Sequence, residues 1–216
     1  MALEEIATVA ETLAQVLAKG GHAKKLYSAA NLPMRLLIPL NYFKTFVEKV
    51  NHRNIRTGWP FMVILQLAFE QLVESHMRSL QVLLAMGTKG KGQVVNFHHV
   101  EALALVTRGR LDTQGQHAYI EGLSVAGGQK RMATSESVAM DSQKLRLENR
   151  CIKAFSKHVG VKFAPLAREL LGEEYASLLL QFFSDCVEES IEYKELAPKD
   201  VVLGLRAEAY RYAGYQ

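Results

Sequence analysis

Two long apolar stretches with helical spacing constrain the fold of this chain more than any other feature. The first is predicted to form a helix from Pro60 to Met86, and the second from Pro165 to Tyr193. At 1.5 Å per residue, a helix of either length spans roughly 40 Å, which exceeds the usual three or four turns. Because one such helix cannot cover its own apolar face, we expect each to need a matching helix from the same chain.

The elements around each long helix repeat one order: a short helix, a loop, the long helix, a second loop and a final helix. Shorter helices are predicted over 39–50, 97–107, 144–158 and 198–209. Proline or a capping side chain stands at the start of several of them, as is common for helix N-termini. The repeat predicts an all-α protein with two related units.

The remaining segments divide the chain. Apolar residues at helical spacing predict an amphipathic helix over 1–21. The first unit covers 22–110, and a stretch over 111–141 that is rich in Gly, Ser, Thr and Gln is predicted to be a linker. The second unit covers 142–216 and ends in an aromatic tail that begins at Tyr210, which we interpret as a packing or docking strand.

Composition narrows the classes of function. The chain has 216 residues and is 49% hydrophobic, which supplies ample core. Its net charge of +4 is too small to indicate nucleic-acid binding by itself. Cys151 and Cys186 lack metal-ligand spacing and are expected to be buried thiols in a reducing compartment. No signal peptide and no membrane span is predicted, so we expect a soluble intracellular protein.

No group of residues indicates an enzyme. His98 and His99 are adjacent rather than one helical turn apart, so a shared metal ion is not expected. The segment 89–92 lacks the residue order of a phosphate-binding P-loop. Cys186 and His158 fall in separate elements and do not mark a nucleophile with its base. The sequence therefore predicts neither catalysis nor a metal or other cofactor.

Several short patterns lie in the first half of the chain. They are the basic-aromatic run Lys24-Lys25-Leu26-Tyr27, Pro39 at a helix start, Arg56 in the following loop and Arg108-Gly109 near the last helix end. From Lys24 to Arg110 the chain resembles the histone-three type. The resemblance places Arg56 at the loop arginine that family members insert into the DNA minor groove.

A second set of patterns lies in the second half: Ile152-Lys153, Gly160-Val161-Lys162, Asp200-Val201-Val202 and Tyr212-Ala213-Gly214-Tyr215. These resemble the histone-four type, whose first helix, first loop, last helix and tail they follow. The two complementary types together cover most of the chain. In this respect the chain is similar in kind to the fused histone doublets of large DNA viruses.

The resemblance implies two histone folds in one chain that form an intramolecular handshake pair, plus an extra N-terminal helix. It also implies a DNA-packaging protein that wraps double-stranded DNA in nucleosome-like particles without sequence specificity. A second doublet or other core histones would complete the particle, with self-association through the histone-three-like half. The expected location is the nucleus, a viral factory or a virion. The alternative is a histone-fold interaction module of a transcription or chromatin assembly that does not wrap DNA.

A handshake places the first loop of each unit beside the second loop of the other, which would gather basic residues along one edge. The DNA-binding residues expected from this arrangement are Arg53, Arg56, Lys194 and Lys199 at one end, Lys89, Lys91 and Lys162 at the other, Lys44, Lys153 and Lys157 near the centre, and Lys24 and Lys25 before the fold.

Two departures stand out. An acidic helix replaces a basic N-terminal tail, and Phe163 replaces an arginine that enters the minor groove in the family.

Overall fold

The computed structural model describes residues 36–51, 54–87, 94–107, 145–188 and 195–213, together with Thr8, Glu11, Thr12 and Gln15. These residues are mostly helical, which confirms the all-α class. The four isolated residues are helical and exposed, and the Thr12 hydroxyl donates to the Thr8 carbonyl at 2.8 Å. The linker predicted over 111–141, and most of the helix predicted over 1–21, lie outside the described residues.

The described chain contains the helices α1 (Leu40–Val50), α2 (Trp59–Gly87), α3 (Phe97–Thr107), α4 (Asn149–Val159), α5 (Pro165–Glu188) and α6 (Pro198–Ala213). Between them lie four strands of two residues each: β1 (Arg56–Thr57), β2 (Val94–Val95), β3 (Lys162–Phe163) and β4 (Glu195–Leu196). None of the described helices combines the length and apolarity that a bilayer crossing requires.

Helix starts agree closely with the sequence predictions where a local signal marks them. α2 begins one residue before Pro60 and ends one residue after Met86, and α5 begins at Pro165 as predicted. α3 follows Asn96 directly. Pro39, by contrast, occupies the N-cap of α1 rather than its first helical residue. The predicted end of the second long helix at Tyr193 lies outside the described residues.

The start of α4 differs from the prediction by five residues, because the segment before it packs in an extended form. The Leu147 N–H donates to the Gly172 carbonyl of α5 at 2.8 Å, and the Leu147 side chain is buried. A side chain on Gly172 would lie 2.7 Å from the Leu147 carbonyl oxygen, so only glycine allows this approach. This long-range packing replaces the first helical turn predicted from Lys144.

The aromatic tail was interpreted as a packing or docking strand, but its described part, from Tyr210 to Ala213, is helical. α6 continues to Ala213, so Tyr210 and Tyr212 lie on a helix that is longer than the one predicted to end near Ala209. No proline follows Pro198, so nothing of that kind breaks the helix. The alternation of aromatic and small residues is also compatible with helical geometry.

The chain divides into two compact units, and the division falls in the middle of both long helices. The first unit comprises 1–73 and 177–216, and the second comprises 74–176. Each unit thus combines segments from both halves of the sequence, so the unit boundaries do not follow the boundaries of the repeat.

The first unit has an aromatic core. Phe43 of α1 lies against Phe69 of α2 with ring centroids 5.7 Å apart, and Phe61 meets Phe183 of α5 edge-on at 6.2 Å. All four rings are buried. Such contacts between aromatic rings add to the free energy of burying their apolar surface.

A buried carboxylate fixes the chain where it enters α1. The Leu37 and Ile38 N–H groups donate to the two Glu70 oxygens at 2.8 and 3.0 Å. The Gln66 amide nitrogen donates to the Ile38 carbonyl at 2.6 Å and to Glu70 at 2.8 Å. Leu37 and Ile38 precede α1, so the helix itself offers their N–H groups no acceptor. Glu70 supplies these acceptors and thus satisfies backbone donors that burial would otherwise leave unpaired.

In the second unit α4 lies beside α2, where His158 Nε2 is 3.4 Å from the Glu74 carboxylate. The buried face of α4 carries Cys151, Ile152, Phe155 and Val159, at the spacing of one helical face. α4 ends at Gly160, whose φ of 78° is a left-handed conformation that glycine adopts without strain. The turn then leads directly into β3.

A polar pair lies within the packing of the second unit. The hydroxyl of the buried Tyr175 is 3.2 Å from His76 Nδ1, and the two rings meet edge-on at 5.5 Å. Burial, together with the nearby charge of Glu174, raises the pKa of Tyr175 well above its ordinary value, so the hydroxyl keeps its proton and can donate. Burial also lowers the pKa of His76 to about 4, which keeps the imidazole neutral and able to accept.

Two parallel ladders join loops from different halves of the sequence. In the first unit β1 pairs with β4, with Arg56 opposite Glu195 and Thr57 opposite Leu196. In the second unit β2 pairs with β3, with Val94 opposite Lys162 and Val95 opposite Phe163 (these four residues form the second ladder). The expected pairing of each first loop with the second loop of the other half is therefore present.

The final helix of each half starts with the same type of cap. The Asp200 carboxylate accepts from the Ala197 N–H at 2.7 Å, and His99 Nδ1 accepts from the Asn96 N–H at 3.2 Å. In both cases the third helical residue bonds back to the N-cap residue, as in a capping box. This bond from the Asn96 backbone agrees with an N-cap position for Asn96, which directly precedes α3.

We expect the His76→Gln variant to lose less stability than the wild type when the pH is lowered. The folded protein holds the His76 pKa near 4, below its ordinary value of 6.5. As pH falls below 6.5, the unfolded chain therefore takes up a proton that the folded chain excludes. Stability falls until the pH reaches about 4. From pH 7 to 5 the loss is about 2 kcal/mol for His76 alone.

Urea denaturation at several pH values measures this effect. Glutamine retains an acceptor for the Tyr175 hydroxyl but does not titrate. The difference in stability between variant and wild type at pH 7 therefore reports the effect of the substitution on packing. If wild type and His76→Gln lose equal stability between pH 7 and pH 5, the neutral buried state of His76 is refuted.

Candidate nucleic-acid interface

The two ladders present one cation each at corresponding positions. Arg56 is the first residue of β1 and Lys162 the first residue of β3, and both are exposed. Because successive side chains in a strand point to opposite faces, the next residue of each strand faces inward. Thr57 is half-buried and Phe163 is buried. Both loops that the family resemblance assigns to DNA thus hold a cation in an exposed position.

Phe163 belongs to the core rather than to the surface. It is 7% exposed and lies opposite Val95, which is fully buried. Phe163 therefore has a structural role, since its side chain closes the apolar interior beneath the second ladder. An arginine with the same backbone and side-chain direction would place its charge in that interior, at a large desolvation cost.

The outer face of α4 carries a basic stripe, formed by Arg150, Lys153 and Lys157. All three are exposed, and their spacing of three and four residues places them on one side of the helix. β3 contacts α4, and Lys162 follows the Gly160 turn, so all four cations lie on adjacent elements of the second unit. Lys153, Lys157 and Lys162 were predicted as site residues.

Arg150 was not predicted to belong to the site. The signal was available, because it lies one turn before Lys153 in the same periodic pattern. Arg150 Nε also lies 2.7 Å from the Glu148 carboxylate, and both side chains are more than half exposed. Exposed ion pairs of this kind contribute little to stability, so Arg150 can exchange this partner for another anion.

The first unit carries a sparser set of predicted cations. Lys44 lies on α1, with its nitrogen 3.8 Å from the Glu48 carboxylate and both side chains well exposed. Arg56 lies on β1, and Lys199 is exposed in the first turn of α6. Arg56 faces the exposed Glu195 across its ladder. The remaining predicted residues lie outside the described part of the chain: Arg53, Lys194, Lys89, Lys91, Lys24 and Lys25.

Other titratable side chains, with shifted pKa values, contribute to the fold rather than to this interface. The pKa of His99 is lowered, first by burial and then by the nearby His98. Burial, with Asp185 and Asp200 nearby, raises the pKa of Cys186 well above its ordinary value, so the thiol is protonated at neutral pH. Within the described ranges no cluster of His, Cys, Asp and Glu is arranged to hold a metal ion.

Comparison with known proteins adds no relative. No protein-family model, no curated protein and no solved structure matches this chain. Function must therefore be inferred from the arrangement of residues in the two units.

We expect Phe163→Ala to destabilise the protein by about 3 kcal/mol, because it removes a buried ring and leaves a cavity. Val94→Ala is the matched control, since Val94 lies on the same ladder but is 37% exposed. It should cost well under about 1 kcal/mol. Chemical denaturation followed by circular dichroism measures both changes. Equal losses for the two variants would contradict a core role for Phe163.

Proposed function

We propose that this chain is a histone doublet that packages double-stranded DNA. Its first half (22–110) would be a histone fold of the three type and its second half (142–216) one of the four type, paired as a handshake. The observation that carries this proposal is the cross-pairing of loops, Arg56 with Glu195 and Val94 with Lys162. In a handshake, each first loop meets the second loop of the other fold.

The distribution of exposed cations supports a backbone-binding mode. Lys162 and the α4 stripe lie exposed on adjacent elements of the second unit, while Arg56, Lys44 and Lys199 are exposed on the first. Lysine and arginine at such positions neutralise phosphates and carry no information about base sequence. The proposal therefore includes binding without sequence specificity, and wrapping in which loop cations meet inward-facing minor grooves.

The proposed partners follow from the proposal that the chain is a histone doublet. A particle would need further histone folds, supplied by a second doublet or by other core histones, and the histone-three-like half would mediate self-association. The corresponding location is a nucleus, a viral factory or a virion. None of these assignments involves a cofactor or a catalytic step.

A second candidate function has specific support. The net charge is only +4, Phe163 stands at a position where a cation is expected, and Glu195 faces Arg56. These features favour a histone-fold interaction module of a transcription or chromatin assembly that does not wrap DNA. The two candidates differ in whether DNA becomes protected along its length.

Nuclease digestion distinguishes wrapping from simple binding. We expect the full chain, reconstituted on long DNA with core histones as the partner source, to protect discrete lengths in a ladder. The reason is that wrapped DNA is shielded in units set by the particle. Smooth degradation at low salt, with no protected length, would rule out wrapping and favour the interaction module.

The α4 stripe makes a quantitative prediction about salt. If about six phosphates are neutralised, log K should fall against log salt with a slope of roughly −5. The double variant Lys153→Gln/Lys157→Gln removes two of these contacts, so we expect the slope to become shallower by about 1.8. Fluorescence anisotropy with DNA duplexes of unrelated sequences should give the same change for each.

The charge-preserving variant Lys153→Arg/Lys157→Arg is the control. It should retain the wild-type slope, because the contacts are electrostatic rather than shape-specific. A glutamine variant with wild-type affinity and slope would show that the α4 stripe does not contact DNA.

A further inference from the structure

Arg56 has an acidic neighbour that its sequence position does not indicate. The parallel register places it opposite Glu195, which is distant in sequence. Registered residues in neighbouring strands project from the same face of the ladder. Both side chains are exposed. The guanidinium and the carboxylate therefore share one small area of surface.

The Glu195 carboxylate lies close to Gly58. Its Oε1 lies 3.5 Å from the point where a Cβ on Gly58 would stand. Gly58 immediately precedes Trp59, the first residue of α2, and the Gly58 carbonyl accepts from the Met62 N–H at 3.1 Å. The amide groups at a helix N-terminus attract anions. Glu195 thus brings a negative charge to the place where Arg56 and the start of α2 would jointly favour a phosphate.

The second ladder lacks this feature. Lys162 occupies the corresponding exposed position in β3, but its registered partner is Val94, which has no charge. The two ladders therefore differ in net charge although their backbone pairing is the same. A phosphate approaching Lys162 meets no registered carboxylate, whereas one approaching Arg56 does.

We propose that Glu195 competes with DNA phosphate for Arg56 and so lowers the affinity of this ladder for DNA. The inference rests on the proposed DNA-binding function and adds a residue that regulates it. When Glu195 attracts the Arg56 guanidinium, Arg56 does not neutralise a phosphate, and the cation condensed at that phosphate is not released. DNA affinity then depends on the second ladder and the α4 stripe more than on Arg56.

Binding of a DNA duplex to the full chain, measured over a range of salt concentrations, tests this directly. Glu195→Gln should raise the affinity about threefold at low salt, the order expected for removing an exposed opposing charge. It should also steepen the salt slope by about 0.9, because Arg56 would then neutralise one further phosphate and release the cation condensed there. In an Arg56→Ala background, Glu195→Gln should lose this excess effect.

Glu169→Gln is the matched control, since it removes the same charge from an exposed position on α5. If Glu195→Gln exceeds Glu169→Gln, and the excess disappears with Arg56→Ala, competition for Arg56 is supported. If DNA is bound but the two glutamine variants behave alike, the inference is overturned while the proposed function stands. If none of the proteins binds DNA at about 50 mM salt, the proposed function fails and this inference fails with it.

Discussion

Backbone pairing between short loop segments is the interaction on which the described architecture depends. Each ladder contains only two residues per strand, yet it joins segments that are distant in sequence. The residues beneath the ladders are apolar and buried: Leu196 in the first unit, Val95 and Phe163 in the second. Their peptide groups could not be left unpaired at low cost, so each loop needs a strand from the other half. This mutual requirement selects one register and fixes which side chains face outward.

The consequences for charge follow from that register. Alternation along β1 and β3 turns Arg56 and Lys162 outward and their successors inward. The same register decides which side chain each cation meets, Glu195 in one case and Val94 in the other. The sequence repeat suggests that the two ladders carry the same charge. Their registered partners make the two ladders differ in net charge. The α4 stripe, with Lys162 nearby, is the stronger candidate for anion contact.

How much the sequence could predict depends on the range of the interactions involved. The starts of α2, α3 and α5 were readable because Pro60, Asn96 and Pro165 act locally. The start of α4 was missed because it depends on a contact between Leu147 and Gly172, which no local pattern reveals. Arg150 was missed although its spacing with Lys153 was visible. The pairing of Arg56 with Glu195 required a register between distant loops, which periodicity within either segment cannot supply.

The division of the chain into units has a consequence for how it is assembled during synthesis. The second unit is one continuous segment, 74–176, so all of its contacts become available once that segment has left the ribosome. The first unit is split, so β1 and Phe61 must await 177–216 before they can meet β4 and Phe183. Domains generally fold in the order in which they are made. The ring of Phe61 therefore stays uncovered by Phe183 until 177–216 has been made, whereas Phe43 and Phe69 can meet earlier.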